Sequence, residues 1–226
     1  MLECHSQLIT RGHLPNILFI DGSPNPLLFL QGAQNDNGLS TYTFASQNLG
    51  APSADRRIVV STKGIVGGGG TVTSATIGGV SATIHLNNSI TFGSVATFSA
   101  IVPTGATGDI VVNWSKTQNN CSIIAYSVKG ESSPTPAFAT SDTSSPLDIT
   151  PSISGKTAVI GFGASQSGGA HFTWSGSLGV VEDIDLGVGD ARHSSASLVT
   201  SGSGNIVATP DTVASPSLHV VGWNLT

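Results

Sequence analysis

An all-β fold, an antiparallel β-sandwich of immunoglobulin-like or jelly-roll type with an extended N-terminal arm, is the class this sequence predicts. Three observations carry it. Short runs rich in Val, Ile, Thr and aromatic residues recur at intervals of roughly ten residues, with Gly, Pro, Asn or Ser between them. No stretch sustains the 3.6-residue apolar period of an amphipathic helix. Only 9% of the 226 residues are charged, against 38% hydrophobic and 28 glycines, where long helices need abundant Glu, Lys and Arg.

The first 38 residues stand apart. Two apolar runs, Ile17-Leu18-Phe19-Ile20 and Leu27-Leu28-Phe29-Leu30, flank a stretch containing Pro24 and Pro26, whose missing amide protons and fixed φ preclude one continuous helix. Two readings follow. The runs are either short strands of the main sheet or an arm (residues 1–38) whose apolar side chains bury against a neighbouring subunit, since exposing them costs about 1.5–3 kcal/mol each. The sandwich is expected over 39–226.

Within it, Tyr42 and Phe44 alternate with polar neighbours, the period of a half-buried strand. Ile58-Val59-Val60 is apolar at consecutive positions, as in a central strand covered on both faces. Thr71–Ile77 and Val80–Ile84 are separated by Gly78-Gly79, and a Gly pair between β-favouring runs predicts a tight hairpin. Further strands are expected in Val95–Val102, Asp109–Ser115 (Ile110, Val112 and Trp114 on one face) and Ser122–Val128. The Pro- and Ser-rich stretch 131–146 is read as a long connection. Thr157–Gly163, His171–Trp174, Leu178–Ile184, Ser195–Thr200, Asn205–Thr209 and Ser217–Trp223 complete the series.

Composition excludes several functions. A formal charge of -5 offers no basic patch for nucleic acid. No apolar run approaches the roughly 20 residues of a membrane helix, and Glu3 with the short run Ile17–Ile20 does not form a signal peptide. Cys4 and Cys121 share no metal-ligand spacing and are read as unpaired thiols. Gly67–Gly70 lacks the Lys-Ser/Thr of a phosphate loop. Around Ser165, Ser167 stands where a nucleophile elbow needs glycine. No catalytic residue, cofactor-binding residue or metal ligand is therefore assigned. The acidic cluster Glu182, Asp183, Asp185 and Asp190 reads as a solvated strand edge, with calcium the alternative. Trp114 is assigned to the core; Trp174 and Trp223, on period-two strands among polar residues, are the candidate contacts for a sugar ring. Arg56-Arg57 is read as a structural ionic link.

Several stretches together resemble a module of tailed-phage and prophage virion structural proteins. They are Tyr42-Thr43-Phe44, Leu49-Gly50-Ala51-Pro52-Ser53-Ala54-Asp55-Arg56-Arg57-Ile58-Val59-Val60, the Thr76–Thr83 hairpin, Thr107–Val112 and Ser122–Val128. The resemblance covers about Ser40–Val128 and carries no catalytic residues. It implies a sandwich displayed on a virion, as a tail or fibre component or a capsid decoration, with other virion proteins and further copies of itself as partners. A carbohydrate-binding module that recognises a host-surface polysaccharide is the alternative.

Overall fold

The computed structural model describes residues 25–65, 69–91, 93–166, 171–211 and 215–226. Strands make up 67% of the chain, and the described residues contain no helix. The run Ile17–Ile20 lies outside the described residues. Nine strands form the first half: β1 (Leu27–Asn35), β2 (Leu39–Asn48), β3 (Arg57–Ile65), β4 (Val72–Ile77), β5 (Val80–Ser81), β6 (Thr83–Ile90), β7 (Gly93–Ile101), β8 (Thr107–Gln118) and β9 (Asn120–Val128). The second half holds β10 (Phe138–Asp142), β11 (Leu147–Ile149), β12 (Thr157–Ser165), β13 (Phe172–Ser175), β14 (Val181–Val188), β15 (Ala191–Thr200), β16 (Ile206–Pro210) and β17 (Ser217–Asn224).

All pairings are antiparallel. The first half builds a five-stranded sheet, β1-β9-β3-β7-β6, and a four-stranded sheet, β2-β8-β4-β5; the second builds β10-β17-β12-β15-β14 and β11-β16-β13. The second pair of orders repeats the first strand for strand. In each half the first strand pairs with the last and the third is central, and only β5 has no counterpart. The chain forms two groups of sheets joined at residues 129–137.

Three apolar layers hold them together. Tyr42, Phe44, Ile58, Val60, Phe98, Ile110, Val112 and Trp114 fill the space between the first two sheets. Leu147, Val159, Phe172, Ile206, Leu218 and Val220 do the same in the second half. The third layer joins the halves: Val59, Ile124, Tyr126 and Val128 of the first large sheet pack on Ala158, Ile160, Phe162, Val221 and Trp223 of the second. Both faces of each large sheet are thus buried, which is why β3 and β12 are buried along almost their whole length.

The stacking reverses strand order. β1 lies against β14 and β6 against β10, while hydrogen bonds link β9 to β14 and β15, and β7 to β17. Each edge of one large sheet therefore meets the counterpart of the opposite edge in the other, the relation made by an approximate two-fold axis. The central strands β3 and β12 run parallel across this seam. Arg57, at the start of β3, lies over Trp223, the partner of Ala158 near the start of β12. Val95, the partner of Lys63 near the end of β3, packs on Ala164 near the end of β12.

Of the two readings of Leu27–Leu30, strand or arm, the structure takes the strand: they lie in β1, paired with β9 from Leu27↔Val128 to Asn35↔Cys121. β9 would otherwise expose a full row of backbone groups at the sheet edge. The connection 131–146 contains β10, which pairs with β17; its Phe138 ring covers Gly222 and leaves no room for a Cβ there. The Gly78-Gly79 hairpin forms as the sequence predicts. Ile77 faces Val80, and both glycines have positive φ, 57° and 80°, a conformation that a side chain disfavours.

Candidate functional site: the polar seam

The densest group of chemically competent side chains lies between the two large sheets. One end of the seam is apolar, with Leu27, Val59, Val128, Ile160 and Trp223. Toward the other end the same strand faces carry Ser61, Lys63, Thr97, Ser122, His193, Ser217 and His219, all fully buried. Strand alternation delivers them. Val59, Ser61 and Lys63 share one face of β3, and Trp223, Val221, His219 and Ser217 share one face of β17.

His193 of β15 bridges the sheets. Its Nε2 and Ser61 Oγ share a hydrogen bond of 2.9 Å, and its Nδ1 and Ser122 Oγ another of 2.9 Å. A neutral imidazole has one donor and one acceptor nitrogen, so one serine donates to the ring and the other accepts from it. Thr97 Oγ1 and His219 Nδ1 repeat the device from β7 to β17 at 3.0 Å. Burial pushes the pKa of His193 down to about 3, with the nearby Lys63 and His219 adding to it; burial alone takes His219 to about 3. Both rings are therefore neutral at physiological pH.

Lys63 is the unusual member. It is fully buried, its Nζ has no hydrogen-bond partner among the described residues, and desolvation lowers its pKa to about 8. Behind it, Cys121 shares a hydrogen bond of 3.3 Å with Thr62 Oγ1, and burial pushes its thiol up to about 12, far from the thiolate a nucleophile needs. Tyr126 closes the network toward the apolar end. Its hydroxyl donates to Asp183 Oδ2 at 2.7 Å and lies 2.6 Å from Ser195 Oγ; burial and the carboxylate raise the phenol well above its usual value.

A second network borders the seam. Arg57 donates from Nε and Nη2 to the two carboxylate oxygens of Glu131 at 2.6 and 2.7 Å, and from Nη1 to Ser99 Oγ at 2.9 Å. Ser99 also bonds His85 Nε2 at 2.8 Å. Burial, reinforced by Arg57, lowers His85 to about 4. Arg57 thus makes the ionic link expected of the Arg pair. Arg56 makes none, and its guanidinium donates to the carbonyls of Val102, Gly50, Thr104 and Gly105 at 2.6–2.9 Å.

His193, Ser61 and Ser122, and Thr97 with His219, are joined by hydrogen bonds, and all of them are buried. The Ser61–His193–Ser122 cluster has the contact distances of a nucleophile and its base. Yet both ring nitrogens are occupied by serine, no carboxylate orients the imidazole, and all three residues are fully buried. Its chemistry is cross-linking of sheets by hydrogen bonds. Comparison with protein-family models, with curated proteins and with solved structures finds no match.

Of the residues singled out from sequence, Trp223 alone among the tryptophans reaches the seam, at its apolar end. Trp223 is fully buried in the seam, its edge-on neighbour being His85 at 5.7 Å. It presents no face to a sugar. Trp174, half-buried on β13, lies over Gly161 and donates Nε1–H to Ser194 Oγ at 2.8 Å. Trp114 is in the core as expected. In the acidic cluster, Asp185 lies 2.8 Å from His171 Nδ1 and Asp183 holds Tyr126, while Glu182 and Asp190 are exposed. Among the described residues no three His, Cys, Asp or Glu side chains gather as a metal site. The seam itself was missed. Its one sequence signal is the continuation of an apolar strand face by Ser, His or Lys at period two, as in Ser217-His219-Val221-Trp223.

Proposed function

We propose that this protein is a structural component of a phage virion, a tail or fibre component or a capsid decoration, acting by assembly and not by catalysis. The observation that carries the reading is the strand order. One sheet is ordered first-last-third-seventh-sixth and the facing sheet second-eighth-fourth-fifth; with β6 as an added edge strand, this order supports a jelly-roll reading of the first half, an architecture of viral capsid and lectin domains. The second half keeps the order without a counterpart of β5, which supports a twinned jelly roll as the finer fold reading. A low-charge exterior supports the same conclusion, because like-charged copies repel weakly when packed side by side. The lectin alternative loses Trp223 as a contact residue.

The test is compositional. Particles are purified on density gradients from cultures of a phage-producing host that encodes the chain, and their proteins are quantified by mass spectrometry. Stoichiometric recovery in several copies per particle supports the proposal. Complete particles that lack the chain overturn it.

A further inference from the structure

We propose that the groove between the outer edges of β1 and β14 is the seat of the chain's own N-terminal apolar run, Ile17-Leu18-Phe19-Ile20. The groove, about 710 Å³, is lined by Leu27, Leu28 and Phe29 on one wall and by Val181, Leu198 and Val199 on the other, with Ser197 and with Asp183, whose carboxylate accepts from Tyr126, as its polar members. Among the described residues Val181 (68% exposed) and Leu28 (47%) are the most exposed large hydrophobic side chains, and both stand here. β1 and β14 are the terminal strands of their sheets, so each turns a row of unpaired backbone groups outward. Further along, the two strands close on each other at Gly32, where a Cβ would come 2.7 Å from Ile184 Cδ1.

At the two-fold counterpart of this edge, where β6 meets β10, the strands are tied by a polar contact, Asn88 Nδ2 donating to Ser141 Oγ at 3.0 Å, and the cavity beside it is lined mainly by Ser89, Thr91, Thr143 and Ser215. Asn25, the first described residue, lines the groove itself.

Chain length selects the occupant. Asp21-Gly22-Ser23-Pro24 alone separate Ile20 from Asn25, a reach of about 17 Å when extended. Gly22 and Pro24 suit a reversal of direction. A run tethered this closely meets the groove at an effective concentration on the order of millimolar, which a second chain does not reach in dilute solution. As an added strand it satisfies the free edge with main-chain bonds and sends alternate side chains into the groove. This inference does not depend on the virion reading.

The test uses the full chain carrying Cys4→Ser, with Val181→Cys combined in turn with Leu18→Cys and Phe19→Cys, oxidised at low micromolar concentration. One of the two pairs is expected to form a disulfide within a single chain, seen as monomer mass with both thiols consumed. Bonding only between chains, or no bonding in either pair, overturns the proposal. Hydrogen exchange provides a readout without new bonds. Leu27–Leu30 should exchange at least tenfold faster in the Leu18→Asp/Ile20→Asp variant than in the unaltered chain, with β12 unchanged. Equal exchange across Leu27–Leu30 in the two proteins also overturns it.

Discussion

Arg56 and His193 show how a chain with few charges uses them. Arg56 is fully buried and faces backbone oxygens alone, so one guanidinium satisfies carbonyls from two separate loops that have no strand partner. His193 and His219 do the reverse, entering the interior without charge. Their folded pKa values, about 3, lie below the ordinary 6.5 of an unfolded chain. Above pH 6.5 both states are neutral and the histidines add no pH dependence. As pH falls below 6.5 the unfolded chain takes up protons first, so stability is lost progressively down to about pH 3. By pH 4.5 each histidine should account for about 3 kcal/mol of that loss. The melting temperature of a His193→Asn/His219→Asn variant should therefore fall less between pH 7 and pH 4.5 than that of the unaltered chain. Parallel pH profiles for the two proteins would exclude the histidines as the source of acid sensitivity.

At the scale of elements, β12 shows what its glycines are for. Its small sheet lies so close that Trp174 stands over Gly161 and Phe172 over Gly163, with a built Cβ only 2.8 and 2.9 Å from the rings. Gly161→Val should push Trp174 off the strand and break its bond to Ser194. The expected cost is about 2–3 kcal/mol, read as a lower urea midpoint with red-shifted tryptophan emission. Much of this level is legible in sequence. Glycine pairs, prolines and β-branched runs mark Arg57–Ile65, the Gly78-Gly79 turn and Asn120–Val128 because those signals act within a few residues. β10 is not legible as a sheet member, and β1 is legible only as one of two readings, since their partners β9 and β17 lie far along the chain and edge pairing leaves no local mark. The seam is hidden for a related reason. Ser61, Lys63, Ser122 and His193 have the polarity of a solvated face, and only the stacking of a second sheet turns that face inward.

At the scale of the whole molecule, the two halves behave as a fused pair. An isologous contact ordinarily joins two copies of one surface; here the two surfaces belong to one chain, with different sequences and the same strand order. Ile160 sits in the layer between them, fully buried. Ile160→Asp places an unpaired carboxylate there, at a cost of several kcal/mol, and leaves the layers within each half intact. Calorimetry should resolve two unfolding transitions in this variant where the unaltered chain shows one. A single transition at lower temperature would mean that the halves do not fold as separate units.

Pairing the first strand of each half with its last also sets a clock on synthesis. β1 waits for β9, about a hundred residues downstream, and at about 5–20 residues per second this takes roughly 5–20 s on the ribosome. Throughout that interval Leu27, Leu28, Phe29 and Leu30 stand unpaired on the nascent chain. The second half imposes its own delay, because β10 waits for β17, two residues from the described end of the chain. The molecule therefore closes in two steps, and Trp223 reaches its place against the first half only in the second.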